Sequence, residues 1–164
     1  MKIKKLFVIK SKSLEQQLKE LDVVNYLDLS KFKDVVRTPK EDYEIENVSD
    51  GSDMLGKSPD DCDKIFKEQG RRGLTIYEGL ALLRDNPDIL KDHYIDLSGS
   101  RYDSGDVPYL GLDDDGPRLS CGYSDVADSH FGSASTKLIN KLEKKSKEIL
   151  PEILTINGIK YGKI

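Results

Sequence analysis

Two stretches of this chain, Ser98–Asp106 and Asp125–Ser135, concentrate the polar side chains whose types permit chemistry. Ser100 and Arg101 lie in a Gly-Ser-Arg turn, where backbone N–H groups and a guanidinium suit a carboxylate or a phosphate. The competing reading pairs Arg101 with one of the many nearby Asp residues, so that it pins its own loop. Asp128 and His130, with Asp125 and Ser133 beside them, complete the ligand-binding candidates, because sites concentrate on loops carried by a rigid scaffold.

Asp103 and Asp106, followed by the Asp113–Asp115 run, supply the hard oxygens that Ca²⁺ or Mg²⁺ prefers. No twelve-residue EF-hand spacing accompanies them, and Asp-Asp-Asp-Gly-Pro is good turn chemistry in its own right. The only histidines are His93 and His130, with no transition-metal ligand pattern. Cys121, His130 and Asp128 form a conceivable nucleophile, base and orienting group. A strand placing Cys121 on one face with Leu119 and Tyr123 makes it a core thiol instead. No G-x-S-x-G elbow, Walker loop or GxGxxG is present, so hydrolase, NTPase and dinucleotide readings lack a motif. No cofactor is expected.

The elements that must position these residues follow from the local pattern. Leu6–Ile9 reads as a strand rather than a signal peptide. Ser13-x-x-Gln16 opens a helix with Leu14, Leu18 and Leu21 on one stripe. Ser30 is expected to cap a short helical turn bearing Phe32, Val35 and Val36, and Asp42–Val48 alternates as a half-exposed strand. Ser58-Pro59-Asp60-Asp61 starts a helix that Gly70 stops, with Cys62 as a core residue. Arg71-Arg72-Gly73 reads as a tight connector. Thr75-x-x-Glu78 is a capping box for a helix through Leu83, and Gly79 within it predicts a close helix crossing. Asn86-Pro87 leads a third, short helix. Tyr94–Leu97 is a strand, and Val107–Leu112 with Arg118–Tyr123 forms a hairpin. A Lys/Glu-rich helix and a hairpin at Asn157-Gly158 follow Ser135.

Strands and helices intermix without βαβ alternation, so the expected class is α+β, a single domain with a mostly antiparallel sheet and several short helices. Residues 1–135 form the domain, and 136–164 add a C-terminal helix and hairpin packing on it. The chain has 164 residues and a net charge of −4, with a basic start and tail around two acidic stretches. Acidic stretches would repel phosphates, so nucleic acid is not an expected partner. Two cysteines without a CxxC, and no apolar run near membrane length, lead to the expectation of a cytoplasmic protein with no membrane contact.

The series LDLSKFKDVV, GKSPDD, GRRGLTIYEGLALL, KDHYIDLSGSRY, VPYLGL and FGSAS, from Leu6 to Ser135, resembles a family of small bacterial proteins of unknown function. The resemblance implies one domain and brings no activity, substrate or catalytic residue. It also implies that the 29 residues from Thr136 onward are an extension.

The sequence therefore leads to a binding or interaction module for an unidentified protein or small-molecule partner, using loops near 98–106 and 125–135. Its alternative is a metal-assisted or acid–base hydrolase built on Asp103, Asp106, Asp128 and His130, which requires those side chains to converge in a concave pocket.

Overall fold

Apolar residues alternating with charged ones set the first strand, β1 (Lys2–Val8), in which Leu6 and Val8 point inward between exposed neighbours. The computed structural model describes residues 1–103 and 105–138. After β1 come α1 (Leu14–Glu20), β2 (Val24–Asn25), β3 (Phe32–Asp34) and β4 (Tyr43–Ser49). Then follow α2 (Pro59–Gln69), β5 (Arg71–Gly73), α3 (Ile76–Asp85), β6 (Tyr94–Asp96) and β7 (Ser100–Tyr102). The hairpin β8 (Val107–Asp113) and β9 (Gly116–Gly122) precedes β10 (Phe131–Ser133) and β11 (Ser135–Lys137). The C-terminal helix and the Asn157-Gly158 hairpin fall outside the described residues.

The strands make three sheets. One has the order β1-β4-β11-β5, the second β10-β6-β8-β9-β2, and a third pairs β3 with β7. Among the described residues only β10 with β6 and β2 with β9 run parallel, so the α+β class with mostly antiparallel pairing holds. The main core joins both larger sheets through Leu6, Val8, Val48, Leu74, Ile95 and Leu110, with α3 contributing Leu80 and Leu82. A smaller core of Met54, Cys62 and Phe66 lies under α2.

Capping chemistry behaves as the sequence demands at α2 and α3. Ser58 Oγ accepts the Asp61 N–H at 3.1 Å, and Gly70 ends α2 in the left-handed region at φ 69°. Thr75 and Glu78 close a reciprocal capping box on α3.

Three local expectations are corrected. Arg71-Arg72-Gly73 is the edge strand β5, paired antiparallel with β11, because Arg71 is tied to β11 by hydrogen bonds to the Ser135 hydroxyl and carbonyl. Asp28, not Ser30, caps the 3₁₀ turn Leu29–Lys31, and Phe32 begins β3 instead of continuing a helix. The nearest neighbour of Gly79 among the described residues is not a helix: a Cβ there would lie 2.6 Å from both Leu97 methyls, so this close approach is between α3 and the chain leaving β6.

Candidate functional site

Strand β6 sits between β8 and β10, and its register decides which side chains share a face. Asp96 is opposite Tyr109 of β8 and Ser133 of β10, while Tyr94 is opposite Phe131. Residues two apart on a strand point the same way, so Tyr94 and Asp96 share the face away from Ile95 and the main core. On that face Tyr94, Tyr109 and Phe131 form an aromatic cluster. Phe131 stands edge-on to Tyr109 at 4.8 Å and to Tyr94 at 5.2 Å.

Helix α2 covers the same face, which puts Cys62 beside Asp96 and Ser133. Its N-terminus is tied to the loop after β9: the Asp60 N–H donates to the Ser124 carbonyl at 2.9 Å, and Ser124 Oγ donates to the Asp60 carboxylate at 3.1 Å. Between Pro59 and that loop opens a cleft of about 230 Å³. Asp96, Tyr109, Phe131 and Asp128 line it, with Tyr123 and Val126 largely exposed at its mouth.

Asp96 is only 6% exposed, and among the described residues its carboxyl accepts no hydrogen bond. Burial, with a smaller contribution from the nearby Asp128 charge, pushes it up to about 7. Asp128 behaves oppositely. The His130 backbone N–H at 2.8 Å, then the His130 ring, hold its carboxylate below the usual range. The cleft thus holds two carboxyl groups whose proton affinities are pushed in opposite directions.

The two sequence-derived loop regions have different fates. Ser100 is fully buried; its hydroxyl accepts the Ile76 N–H at 3.0 Å and donates to Asp34 at 2.7 Å. Arg101 donates to Asp63 of α2 at 3.2 Å and to the Ser98 carbonyl at 2.6 Å. Ser98 Oγ donates to the other oxygen of Asp63 at 2.6 Å. Both Ser100 and Arg101 are therefore engaged in joining segments. The Arg101 partner belongs to a helix 38 residues earlier, not to the acidic loop around it. Asp128 lines the cleft, and His130 stands beside it with its side chain 81% exposed. Ser133 is fully buried next to the Cys62 thiol, and its hydroxyl finds no hydrogen-bond partner of normal geometry among the described residues.

Asp103 adopts φ 38° and its N–H donates to the Lys31 carbonyl; Asp106 forms a bridge with Tyr102. Among the described residues no three His, Cys, Asp or Glu side chains gather closely enough to share one metal ion. Cys121 pairs with Pro108 and so shares the Leu119 face, whereas Tyr109 points to the other side. It is half-buried rather than a core residue, and burial, then the Asp106 charge, pushes its thiol up to about 12. That is the reverse of an activated nucleophile.

Asp96 itself escaped sequence reasoning. The available signal was an Asp within the β-prone Tyr94–Leu97 run, since Asp is depleted in strands and costly to bury. A wider cleft of about 550 Å³ lies near Asn86 and His93, but His93 is already engaged there, its Nε2 2.8 Å from the Asp50 carbonyl.

The sequence model of a family of unknown function (DUF5701) matches residues 7–139. No curated protein and no solved structure matches the chain. No helix among the described residues is long and apolar enough to cross a membrane.

Proposed function

The chain belongs to this family of unknown function, and from its site we propose a ligand-binding domain whose pocket is the cleft at Asp96. The observation that carries this reading is the Asp96 carboxyl, buried, unpartnered among the described residues and opening on a cleft with aromatic walls. Largely buried polar groups are nearly always hydrogen-bonded, so a carboxyl without a protein partner takes one from what occupies the cleft, water or ligand. The volume is below the roughly 300–1,000 Å³ that takes a drug-sized compound, so the ligand is small. Val126 and Asp128, within the 125–135 segment, line the cleft together with Phe131. The 98–106 segment does not line the cleft; its Arg101 is engaged with Asp63 of α2.

A thermal-shift screen of the full chain against small polar compounds tests this, with Asp96→Asn run in parallel. A ligand at about 100 times its Kd raises stability by ~2.7 kcal/mol. Compounds that raise the wild-type midpoint and leave Asp96→Asn unmoved support the cleft. Hits that act equally on both proteins place recognition elsewhere.

A second reading, acid–base catalysis, has its own observation: Asp96 raised and Asp128 lowered within one cleft. Such a pair suits a proton donor beside a carboxylate base. It retains Asp128 from the hydrolase expectation and replaces Asp103 and Asp106 with Asp96. Product formation from a cleft-binding compound, lost in both Asp96→Asn and Asp128→Asn, distinguishes it from simple binding.

A further inference from the structure

The side chains lining the Asp96 cleft have one electrostatic sign. Asp96 and Asp128 contribute carboxyl groups and Tyr109, Tyr123 and Phe131 contribute aromatic rings; among the described residues no Lys, Arg or His lines the cleft itself, His130 meeting Asp128 and Arg118 meeting the Tyr109 hydroxyl from outside the lining. Aromatic faces carry the negative end of the ring quadrupole and attract cations. An anionic ligand would meet the Asp128 carboxylate, and a wholly apolar one would leave the buried Asp96 carboxyl unsatisfied.

Resting on the binding reading above, we infer that the cleft takes a small organic ammonium ion, its charged nitrogen between Asp96 and Asp128 and its carbon skeleton against Tyr109 and Phe131. A divalent metal ion suits the site poorly. Ca²⁺ and Mg²⁺ need about six or more oxygen ligands, and no group of three candidate side chains occurs among the described residues. An ammonium needs only two or three acceptors and gains from the rings. The exposed Tyr123 and Val126 at the mouth add apolar surface suited to alkyl substituents.

Binding of a cation is coupled to loss of the Asp96 proton. The ionisable groups around Asp96 include Asp128, His130 and Tyr123 at the rim, Cys62 from α2, Tyr94 on its own strand, and Tyr109 and Cys121 from the neighbouring strands. Both thiols are pushed up by burial and stay neutral, and Asp128 is already ionised. The released proton therefore comes from Asp96.

The test is isothermal titration of the full chain at pH 6 with ethylammonium, ethanolamine and choline, against acetate and acetamide as anionic and neutral probes. Two buffers of different ionisation enthalpy count the protons released. The expected result is binding of at least one ammonium probe with release close to one proton, weakened at least ~30-fold in Asp96→Asn, with no binding of acetate. A cooperative thermal unfolding transition at or above the wild-type midpoint establishes that Asp96→Asn is folded. Acetamide or acetate binding that depends on Asp96, without any ammonium binding, overturns the cation assignment and leaves the pocket standing. Absence of Asp96-dependent binding by every probe, in a screen that also yields no Asp96-dependent hit, overturns both.

Discussion

Arg72 and Glu78 meet in a two-pronged pair, Nη1 to Oε1 and Nη2 to Oε2, each at 2.8 Å, with the Glu78 side chain fully buried. Tyr43 donates to the same carboxylate at 2.7 Å and the Thr75 N–H at 2.9 Å, so all its strong acceptor positions are used. Burial alone would raise Glu78, but the Arg72 hydrogen bonds and charge outweigh it and the carboxylate is held below its ordinary range. This cluster ties β4, β5 and the start of α3 together.

Glu78→Gln leaves the Arg72 charge without its partner. Removing one member of a buried pair costs about 3–5 kcal/mol, so a destabilisation of that order is expected in urea unfolding. Arg72→Met combined with Glu78→Leu should recover most of it. A loss of less than about 0.5 kcal/mol in Glu78→Gln would mean that the pair contributes nothing to the fold.

Asp96 gives the pH dependence a definite sign. Its unfolded value is near 3.8 and its folded value about 7. Between these the folded chain keeps a proton that the unfolded chain has released, so stability falls as pH rises through this window. The full effect approaches ~4 kcal/mol, about three pKa units at 1.36 kcal/mol each. Asp96→Asn removes the slope. Unfolding free energies of the two proteins from about pH 3.5 to about pH 7.5 should therefore converge at the acid end and separate at the basic end, with the variant the more stable. Parallel curves would show that Asp96 is not held protonated.

Arg101 and Asp63 form a tie between β7 and α2, with Arg101 largely shielded and Asp63 partly exposed. Charge-assisted hydrogen bonds of this kind contribute about 1.5–3 kcal/mol. Arg101→Ala and Asp63→Asn should each lower the unfolding midpoint, and the double variant should lose less than their sum. Ligand affinity at the Asp96 cleft is expected to stay within about threefold of wild type, the residue acting on stability rather than recognition. Fully additive losses would dissolve the tie.

Gly132 packs against Gly51 so closely that a Cβ on Gly132 would overlap the Gly51 carbonyl oxygen. The obstacle is backbone and cannot swing aside, so Gly132→Ala should destabilise by about 1–3 kcal/mol and disturb β10. Gly122→Ala is the control, since its Cβ would meet only Tyr109 at 4.0 Å. Circular dichroism melts of the two variants should differ clearly.

Both thiols are pushed up by burial, Cys121 to about 12. Neither should react quickly with a disulfide reagent at pH 7.5. Cys121, half-buried, should react first and faster with rising pH, while Cys62 waits for unfolding. A fast Cys121 reaction at neutral pH would restore the nucleophile reading.

Local signals were enough for the elements whose stabilisation is local. Ser58, Thr75, Glu78 and Gly70 satisfy backbone groups within a few residues, so the sequence determines the bounds of α2 and α3. The Asp-rich turn likewise determines the β8–β9 hairpin, and periodicity determines the α+β class and the burial of Cys62. Asp128 and His130 were legible as loop residues beside one another, but nothing in their spacing reveals that Asp128 borders a cleft. Other features depend on segments distant along the chain. Asp96 becomes a perturbed carboxyl because α2 and β10 exclude water from it. Arg101 becomes a strut because α2 presents Asp63, and Arg72 enters a strand because β11 returns beside it. Hydrogen bonds between near neighbours are written in residue types at fixed spacing; desolvation is a property of what the whole chain brings together, and only the tertiary structure decided it.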